Sequence, residues 1–415
     1  MVVGGGGREH AIIKKIKENK KVSKIYALPG NGAISFDADC VDIKATDIEN
    51  IVDFAAKNDI DFAVVAPDDP LVLGAIDALE AKGIKCFGPK KDAAIIEGSK
   101  VFSKNLMKKY NIPTAEYNVF DNAAKAIEYI ENAPMPTVIK ADGLALGKGV
   151  IIANTKDEAK KAVESIMEDK IFGASGNNIV IEEFLTGPEV SVLTFTDGKT
   201  LIPMVSSMDH KRALDGDKGL NTGGMGTIAP NPFYTKEIEK ECMDKIFIPT
   251  INAMNMENRT FKGCLYFGLM LTDKGPKVIE YNCRFGDPET QVVLPLLESD
   301  LLDIFIAVAD GNLKNANVRF KNEHACCVVM ASDGYPSHYE SGYEISMPKD
   351  KNIYGAGTKL KDGKLISSGG RVLGVTETGN TLKEAIDKAY NTVKQISFTN
   401  EFYRKDIGKR ALEVK

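Results

Sequence analysis

Short apolar runs alternate with amphipathic stretches through the N-terminal quarter of the chain. The apolar runs predict strands and the stretches with helical spacing predict helices. The strands are Met1–Val3, Lys24–Leu28, Phe62–Ala66 and Lys85–Phe87, and the helices are Ala11–Asn19, Ile48–Lys57 and Val72–Lys82. Strands that alternate with helices favour parallel pairing in a doubly wound sheet. Pro89–Gly98 closes this unit without a clear pattern of its own.

The pattern becomes mixed after a helix predicted over Val101–Tyr110. A small unit from about Thr114 to Leu185 places strands and helices around a glycine loop. Further strands are indicated at Val138–Ala141, Ile179–Glu183, Glu189–Thr196, Leu201–Ser207, Gly263–Thr272 and Lys277–Asn282, with helices at Lys236–Ala253 and Asp300–Asp310. Met208–Thr227 reads as a long polar loop, and the tail from Val318 as strands with one late helix, Leu382–Gln395.

Composition narrows the class of protein. The 415 residues are 43% hydrophobic and 27% charged, with a formal net charge of −5. This charge argues against general binding to nucleic acid or anionic membranes, which needs a basic field. No apolar run is long enough to span a bilayer, no secretory signal is visible, and the seven cysteines include no Cys-x-x-Cys pair. We therefore expect a cytoplasmic enzyme with neither nucleic-acid nor membrane partners.

The first glycine run, Gly4–Gly7, follows a strand and precedes a helix. Glycines at such a position let backbone amides face an anion. The run fails as a dinucleotide fingerprint, because Glu9 stands at the third glycine position and no acidic residue ends the second strand. The sequence indicates a phosphate-sized anion site, with a tight packing turn as the alternative.

A second glycine loop, Lys140–Val150, lies between two predicted strands. It is not a P-loop, because its glycine spacing is one residue short and Gly149 stands where Ser or Thr is needed. A strand–loop–strand hairpin of this kind can fold over ATP phosphates, with Lys140 reaching them. The alternative is a surface hairpin with solvated lysines.

The stretch after the next strand, Glu182–Glu189, can serve as a hinge that faces a nucleotide. Phe184 and Leu185 could pack on adenine, and Glu189 could bind the ribose hydroxyls. Taken alone, paired carboxylates after a strand are more often only solvated.

The strongest local signal is the run from Glu280 to Glu289. Glu280 and Asn282 alternate along a strand and therefore point the same way. Their oxygens suit Mg²⁺, which keeps water and nucleotide oxygens as further ligands. Arg284 would share that face if the strand continued, and could pair with a carboxylate or a phosphoryl group. The alternative is a charged strand end.

The polar loop from Asp209 to Gly226 mixes charges with glycines, as a substrate-covering loop would. His210 could be a general base, although a lone loop histidine more often is not. The scattered histidines offer no convincing nucleophilic triad or dyad.

These motifs occur in the order found in ATP-grasp enzymes, and the whole chain resembles the phosphoribosylamine–glycine ligase family. The matching segments are residues 6–10 (Gly-Gly-Arg-Glu-His), 97–100 (Glu-Gly-Ser-Lys), 140–145 (Lys-Ala-Asp-Gly-Leu-Ala), 209–212 (Asp-His-Lys-Arg), 221–226 (Asn-Thr-Gly-Gly-Met-Gly), 284–289 (Arg-Phe-Gly-Asp-Pro-Glu) and 404–411 (Arg-Lys-Asp-Ile-Gly-Lys-Arg-Ala). The glycine loop and the hinge alone would indicate only an ATP-grasp enzyme.

The resemblance implies an α/β fold in three parts. They are an N-terminal doubly wound, Rossmann-like domain (1–99), an ATP-grasp domain (100–317) with a small mobile subdomain at about 114–186, and a small, mostly β C-terminal domain (318–415). It also implies that a monomer condenses glycine with 5-phosphoribosylamine. ATP is cleaved to ADP and phosphate through a glycyl phosphate, in de novo purine synthesis.

Carried over by matching position, the resemblance assigns roles to individual residues. Arg284, Lys140 and Asp287 would be catalytic, and Glu280 and Asn282 would hold Mg²⁺ or Mn²⁺. ATP would be bound by Lys100, Lys140, Gly147, Lys148, Gly149, Glu182, Glu183, Phe184, Leu185 and Glu189. Substrates would be bound by Gly5, Gly6, Gly7, Arg8, Glu9, Pro67, Asp68, Asp209, His210, Lys211, Arg212, Asp215, Asn221, Gly223, Gly224, Met225 and Arg284. The first glycine loop would receive the ribose 5-phosphate.

The chain departs from the family pattern in four places. Its first strand is shorter, Gly5 adds a fourth glycine, Asp68 stands where the family usually has Glu, and Tyr266–Met270 offers no second metal carboxylate. Two alternatives remain open from sequence: another carboxylate–amine or biotin-carboxylase-like ATP-grasp ligase, and a nucleotide-binding regulatory protein. The second alternative would be expected to lack Lys140, Glu280 or Arg284, and all three are present.

Overall fold

The computed structural model describes residues 1–144, 149–348 and 352–414. Its N-terminal elements are β1 (Val2–Gly4), α1 (Gly7–Lys17), β2 (Tyr26–Pro29), β3 (Asp39–Cys40), α2 (Ile48–Lys57), β4 (Phe62–Val65), α3 (Asp68–Leu73), α4 (Ala75–Glu80), β5 (Lys85–Phe87) and α5 (Lys91–Gly98). The five strands form one parallel sheet in the order β3-β2-β1-β4-β5. The predicted α/β class with an N-terminal parallel sheet is confirmed.

One local prediction in this part was wrong. The single helix expected over Val72–Lys82 is two helices, because Gly74 adopts a left-handed conformation with φ of +96° between α3 and α4. The apolar spacing hid this break, since Leu71, Ile76 and Leu79 are all buried in one core. Pro89–Gly98, which carried no clear pattern, contains the helix α5.

The next part begins with a small antiparallel sheet that has its own core. Its elements are α6 (Lys100–Lys109), β6 (Tyr117–Phe120), α7 (Ala123–Ile130), β7 (Thr137–Ala141), β8 (Val150–Ala153), α8 (Lys156–Val163) and β9 (Ile179–Glu183). The strands are ordered β6-β9-β7-β8. Ile139 and Ile181 from the sheet pack with Val163 from α8 in a cluster separate from the neighbouring cores.

A second antiparallel sheet, β11-β10-β16-β17, follows. The elements of this region are β10 (Glu189–Thr196), β11 (Leu201–Pro203), β12 (Met208–Asp209), β13 (Arg212–Leu214), β14 (Lys218–Asn221), β15 (Gly226–Ala229), α9 (Lys236–Cys242), α10 (Ile248–Met256), β16 (Gly263–Thr272), β17 (Gly275–Asn282), α11 (Thr290–Leu296) and α12 (Leu301–Ala309). Prediction of Met208–Thr227 as a loop was wrong, because it contains the β13–β14 hairpin between β12 and β15. β14 is exposed throughout, so it carries no apolar alternation.

The C-terminal sheet takes strands from two parts of the chain. Its order is β12-β15-β18-β22-β19, with β23 also paired to β18. The elements are β18 (His324–Ser332), β19 (Ile353–Gly355), β20 (Thr358–Lys361), β21 (Lys364–Ser367), β22 (Arg371–Gly379), α13 (Leu382–Val393), β23 (Glu401–Phe402) and α14 (Lys409–Leu412). The β13–β14 hairpin therefore projects from a sheet in which the flanking strands β12 and β15 join the C-terminal strands. Among the described residues, no helix has both the length and the hydropathy to cross a bilayer.

Candidate active site

Side chains from all parts of the fold converge on one cleft of about 520 Å³. Asp68 reaches it from the N-terminal domain, Lys140 from β7, Glu280 from β17 and Arg410 from α14. Residues far apart in sequence thus share a single concave site, the usual arrangement for binding small molecules.

Three lysines crowd one side of the cleft. Lys140 Nζ lies 3.1 Å from Glu182 Oε1 and donates to the Ile279 carbonyl at 3.0 Å. Lys104 Nζ lies 3.0 Å from Glu182 Oε2 and donates to Thr114 Oγ1 at 2.8 Å. Burial lowers the pKa of Lys104 to about 8 and also lowers the pKa of Lys100. Positive charges held close together out of water form a site suited to a polyphosphate.

Lys100 is placed by the start of α6. Ser99 is the N-cap residue, and its hydroxyl accepts from the Phe102 amide at 3.0 Å. Asp142, which follows β7, accepts from the Ser99 hydroxyl at 2.8 Å and the Val101 amide at 2.9 Å. Lys100 Nζ donates to the Gly143 carbonyl at 3.0 Å. The beginning of the second glycine loop is thereby fixed to α6. Gly147 and Lys148 lie outside the described residues, and Gly149 lines the cleft.

The hinge connects the two antiparallel sheets beside the lysines. Glu183 ends β9 and pairs with Lys277 at 2.6 Å, while Phe184 is 39% exposed and lines the cleft with Leu185. Gly187 has φ of +147°, and a Cβ there would overlap the Leu271 carbonyl. Glycine is therefore needed where the chain crosses between the sheets.

Glu280 and Asn282 lie on one face of β17, as their spacing predicted, and both line the cleft. Gly268 stands opposite Glu280 across the strand pair and leaves space for its side chain. Burial tends to raise the pKa of Glu280, but Lys211, Lys140 and Lys100 outweigh it and hold that pKa below its ordinary value. An ionised carboxylate and an amide oxygen fit a hard cation that also binds nucleotide oxygens. Within the described ranges, no three His, Cys, Asp or Glu side chains form a metal cluster.

Arg284 enters the cleft by a different route from the one predicted. β17 ends at Asn282, so the strand does not carry Arg284 onward. Its Nη2 instead lies 3.1 Å from Glu97 Oε1 and 3.7 Å from Asp68 Oδ2. Glu97 also accepts from the Cys283 amide at 2.7 Å. Two carboxylates from the N-terminal domain thus orient the guanidinium in the cleft.

Asp287 links the first glycine loop to the C-terminal domain. It pairs with Arg371 Nη2 at 3.1 Å and accepts from Gln291 Nε2 at 2.6 Å. A Cβ on Gly6 or Gly7 would lie about 3.5 Å from the Asp287 carboxylate oxygens. Asp287 lines the main cleft, whereas its partners Arg371 and Gln291 do not. The loop residues border Asp287 but do not line that cleft themselves.

The carboxylate of Glu9, on the first turn of α1, lies against the first glycine loop. Its carboxylate accepts from the Gly6 amide at 2.6 Å and pairs with Arg8 Nε at 2.7 Å. Arg8 also donates to the Phe285 carbonyl at 3.0 Å. A Cβ on Gly5 would overlap the Gly30 carbonyl. Pro67, the other predicted residue of this domain, directly precedes α3 as its N-cap residue. These contacts leave the proposed phosphate role of the loop untested.

The hairpin region supplies further lining residues. These are Asp209, His210, Lys211, Arg212, Asp217, Asn221, Thr222 and Gly223. Lys211 Nζ lies between two carboxylates, 3.1 Å from Glu189 and 4.0 Å from Glu280. Burial, with Glu289 nearby, raises the pKa of Asp209 well above its ordinary value. Asp215, Gly224 and Met225 do not line the cleft. Asp215 accepts from the Lys405 amide, and Met225 is fully buried.

The structure does not favour His210 as a general base. Its Nε2 accepts from the Gly408 amide at 3.1 Å, and its Nδ1 lies 3.1 Å from the Gly226 carbonyl, to which it donates. Burial, together with the charge of Arg404, lowers its pKa to about 4. Both ring nitrogens are therefore used to connect the hairpin base to the C-terminal segment.

Several lining or supporting residues were missed from sequence. They are Lys104, Glu97, Tyr266, Glu289 and Arg371. Lys104 follows Lys100 by one helical turn, a signal that helical spacing could have given. Tyr266 and Ser191 both donate to Glu289 at 3.2 Å inside the fold, a contact that only folding creates.

Comparisons with known proteins identify the family of the chain. Residues 1–97 match the model for the phosphoribosylglycinamide synthetase N domain, residues 98–290 its ATP-grasp (A) domain, and residues 325–410 its C domain. A phosphoribosylamine–glycine ligase of Caldanaerobacter subterraneus is 47% identical over 411 residues, which cover 98% of this chain and 99% of the relative.

Solved structures show the same fold. Phosphoribosylamine–glycine ligase from Thermotoga maritima has a TM-score of 0.86 at 35% identity, covering 98% of this chain and 99% of that chain. The biotin carboxylase domain of Hydrogenobacter thermophilus 2-oxoglutarate carboxylase, in complex with MgADP and bicarbonate, has a TM-score of 0.74 at 16% identity, covering 97% of this chain and 91% of that chain. The first likeness extends to sequence, whereas the second shows the fold alone. The chain therefore belongs to the phosphoribosylglycinamide synthetase family, the ATP-grasp ligases also named phosphoribosylamine–glycine ligases.

Proposed function

We propose that the chain joins the carboxyl carbon of glycine to the amine of 5-phosphoribosylamine, and that ATP is cleaved to ADP and phosphate. The observation that carries this proposal is the meeting of three lysines, the Glu280–Asn282 pair and Arg284 in one cleft. These groups supply what the reaction needs: cations for transferring phosphate and an arginine for a carboxylate.

A carboxylate is a poor electrophile, so glycine is first converted to an acyl phosphate. A carboxylate oxygen attacks the γ-phosphorus, the bond to the β–γ bridging oxygen breaks, and ADP leaves. Lys100 and Lys140 neutralise charge on the phosphates, and Arg284 orients the glycine carboxylate. The amine nitrogen then attacks the acyl carbon, the bond from that carbon to the phosphate oxygen breaks, and the nitrogen loses a proton.

Glu280 and Asn282 are the residues that would hold Mg²⁺ or Mn²⁺. When bound, such a cation neutralises phosphate charge and orients the nucleotide. The support for this assignment is that both oxygens lie on one face of β17 and that Lys211 and Lys140 keep Glu280 ionised. Glu182, Glu183, Phe184, Leu185 and Glu189 would line the nucleotide.

We also propose that the chain acts as a monomer in the cytoplasm on these small molecules alone. All seven cysteines are free, as expected in a reducing compartment.

The test measures phosphate and amide in the same reaction. With MgATP, we expect one phosphate released per amide formed, and only when both glycine and 5-phosphoribosylamine are present. Replacing glycine by bicarbonate or D-alanine serves as the control. Equal phosphate release with either replacement would contradict the glycine assignment and favour another ATP-grasp ligase.

A further inference from the structure

The C-terminal segment from Arg404 to Arg410 matches the family, and it lines the cleft with Arg410, but none of its residues has a role in the chemistry proposed above. Arg404 begins this segment and is only 1% exposed. Its guanidinium makes two hydrogen bonds to Asp406, of 2.8 and 3.0 Å. It also donates from Nη1 to the Arg212 carbonyl at 3.0 Å and to Asp217 at 2.9 Å. Arg404 thus joins its own segment to the first residue of β13 and to Asp217 in the turn before β14.

The rest of the segment holds the hairpin at further points. Asp406 Oδ2 accepts from the Gly216 amide at 2.8 Å, and the Lys405 amide donates to Asp215 at 2.8 Å. Burial tends to raise the pKa of Asp406, but hydrogen bonds from Arg404 and Gly216 outweigh it and keep that pKa at about 2. Asp406 is therefore ionised, as a bidentate arginine partner should be.

The hairpin has little else to stabilise it. Among the strands that the structure describes, β13 and β14 pair only with each other, β14 is exposed along its length, and their register is irregular. Leu214 and Leu220 are 48% and 59% exposed, so the hairpin buries little apolar area. A two-stranded ribbon of this kind is marginal in water without external contacts. The hydrogen bonds with Arg404, Lys405 and Asp406 supply such contacts.

The hairpin also lines the cleft. Arg212, Asp217 and Asn221 border the cavity that contains Glu280 and Arg284. Arg404 does not line that cavity, although its partner Asp217 does. The hairpin therefore forms a wall of the cleft, and Arg404 lies behind that wall.

We propose that Arg404 is a positioning residue that fixes the β13–β14 hairpin and so keeps water from the acyl phosphate. This inference rests on the proposed function. Water that reached the intermediate would attack the acyl carbon and break its bond to the phosphate oxygen. Glycine and phosphate would result, with a proton released to solvent, and ATP would be spent without amide formation. Closed active sites suppress such side reactions.

The experiment compares the full chain with Arg404→Lys, which keeps the charge but loses the planar fork, and Arg404→Met, which removes both. Thr392→Val is the matched control, because it deletes a partly buried 2.6 Å hydrogen bond to Glu377 that joins α13 to β22 in the same domain. Hydrogen exchange reports on amides 212–221, and the ratio of phosphate to amide reports on coupling.

We expect hairpin amides in Arg404→Met to exchange about tenfold faster or more, because two carboxylates lose their buried partner. We expect the phosphate-to-amide ratio to rise to about two or more, since hydrolysis then competes with the amine. Arg404→Lys should give intermediate values. Thr392→Val should lower thermal stability with a ratio that stays at one.

Three results would overturn either this inference or the proposed function, and the two measurements distinguish them. Unchanged hairpin exchange in Arg404→Met shows that Arg404 does not fix the hairpin. Faster exchange with a ratio of one shows that the hairpin does not exclude water. A wild-type protein that forms no amide contradicts the proposed function itself, while the exchange result still decides whether Arg404 holds the hairpin.

Discussion

At the scale of single residues, the cleft is governed by how charges are paired. Glu280 faces Lys211, Lys140 and Lys100, which keep it ionised in spite of burial. Replacing it by Gln retains the shape and removes the negative charge. We expect Glu280→Gln to lower kcat for amide formation about 100-fold or more, because the cation would lose its charged ligand.

The measurement is amide formation at saturating MgATP together with thermal unfolding. Glu298→Gln, at a half-exposed carboxylate outside the cleft, is the control and should retain activity. Full activity in Glu280→Gln would refute the role assigned to that carboxylate.

His210 gives a pH dependence whose sign can be stated. Its folded-state pKa is about 4, below the ordinary value of 6.5. The neutral, hydrogen-bonded ring therefore contributes its full stability above about pH 6.5, and this contribution is lost as pH falls to about 4. The loss amounts to about 3 kcal/mol at most.

The expected result is that His210→Gln is less stable than wild type at neutral pH and that this difference shrinks on acidification. Chemical denaturation at several pH values measures it. Taking the difference between the two proteins cancels the titration of their shared carboxylates. A difference that stays constant from pH 7 to 4 would contradict the neutral, buried imidazole.

At the scale of elements, the turn between β14 and β15 fits tightly against the Asp287–Pro288 turn. Gly224 has φ of +112°, and a Cβ there would overlap Pro288 and lie 2.6 Å from Asp209 Oδ1. We expect Gly224→Ala to lose about 2 kcal/mol or more of stability and to lower activity, because the turn must move away from Asp209.

Gly363 provides the matched control. Its φ of +76° would also strain the backbone of an alanine, but a Cβ there would meet nothing within 4 Å. Gly363→Ala should therefore lose only about 1 kcal/mol and retain activity. Equal losses in the two variants would show that strain alone, and not contact with Pro288 and Asp209, sets the cost.

At the scale of the whole molecule, Lys140 connects the small antiparallel sheet to β17 through the Ile279 carbonyl. A nucleotide bound between the sheets would add contacts on both sides. We expect a non-hydrolysable MgATP analogue at about 100 times its Kd to add ~2.7 kcal/mol to the free energy of unfolding. Exchange of the β7 and β8 amides should also slow.

Thermal unfolding and hydrogen exchange, with and without the analogue, test this expectation. In Lys140→Met the effect should be much smaller, whereas Lys383→Met, which breaks an exposed pair on α13, should behave like wild type. An equal effect in Lys140→Met would mean that Lys140 does not contact the nucleotide.

Features that depend on neighbours along the chain could be predicted from the amino-acid sequence. Alternation placed Glu280 and Asn282 on one face of a strand, and the order of strands and helices indicated the N-terminal parallel sheet. The left-handed conformation of Gly74 and the exposed strand β14 were missed. Apolar periodicity indicates neither a left-handed residue nor a strand without a buried face.

Contacts between groups far apart in the sequence became visible only in the folded chain. Separate elements bring together three such pairs, which are Arg284 with Glu97, Lys104 with Glu182, and Arg404 with the hairpin. The same is true of His210, whose ring is committed to backbone groups on two segments. Charge pairing and desolvation act through space, so a side chain's partners and protonation state follow from the fold and cannot be read from its position in the sequence.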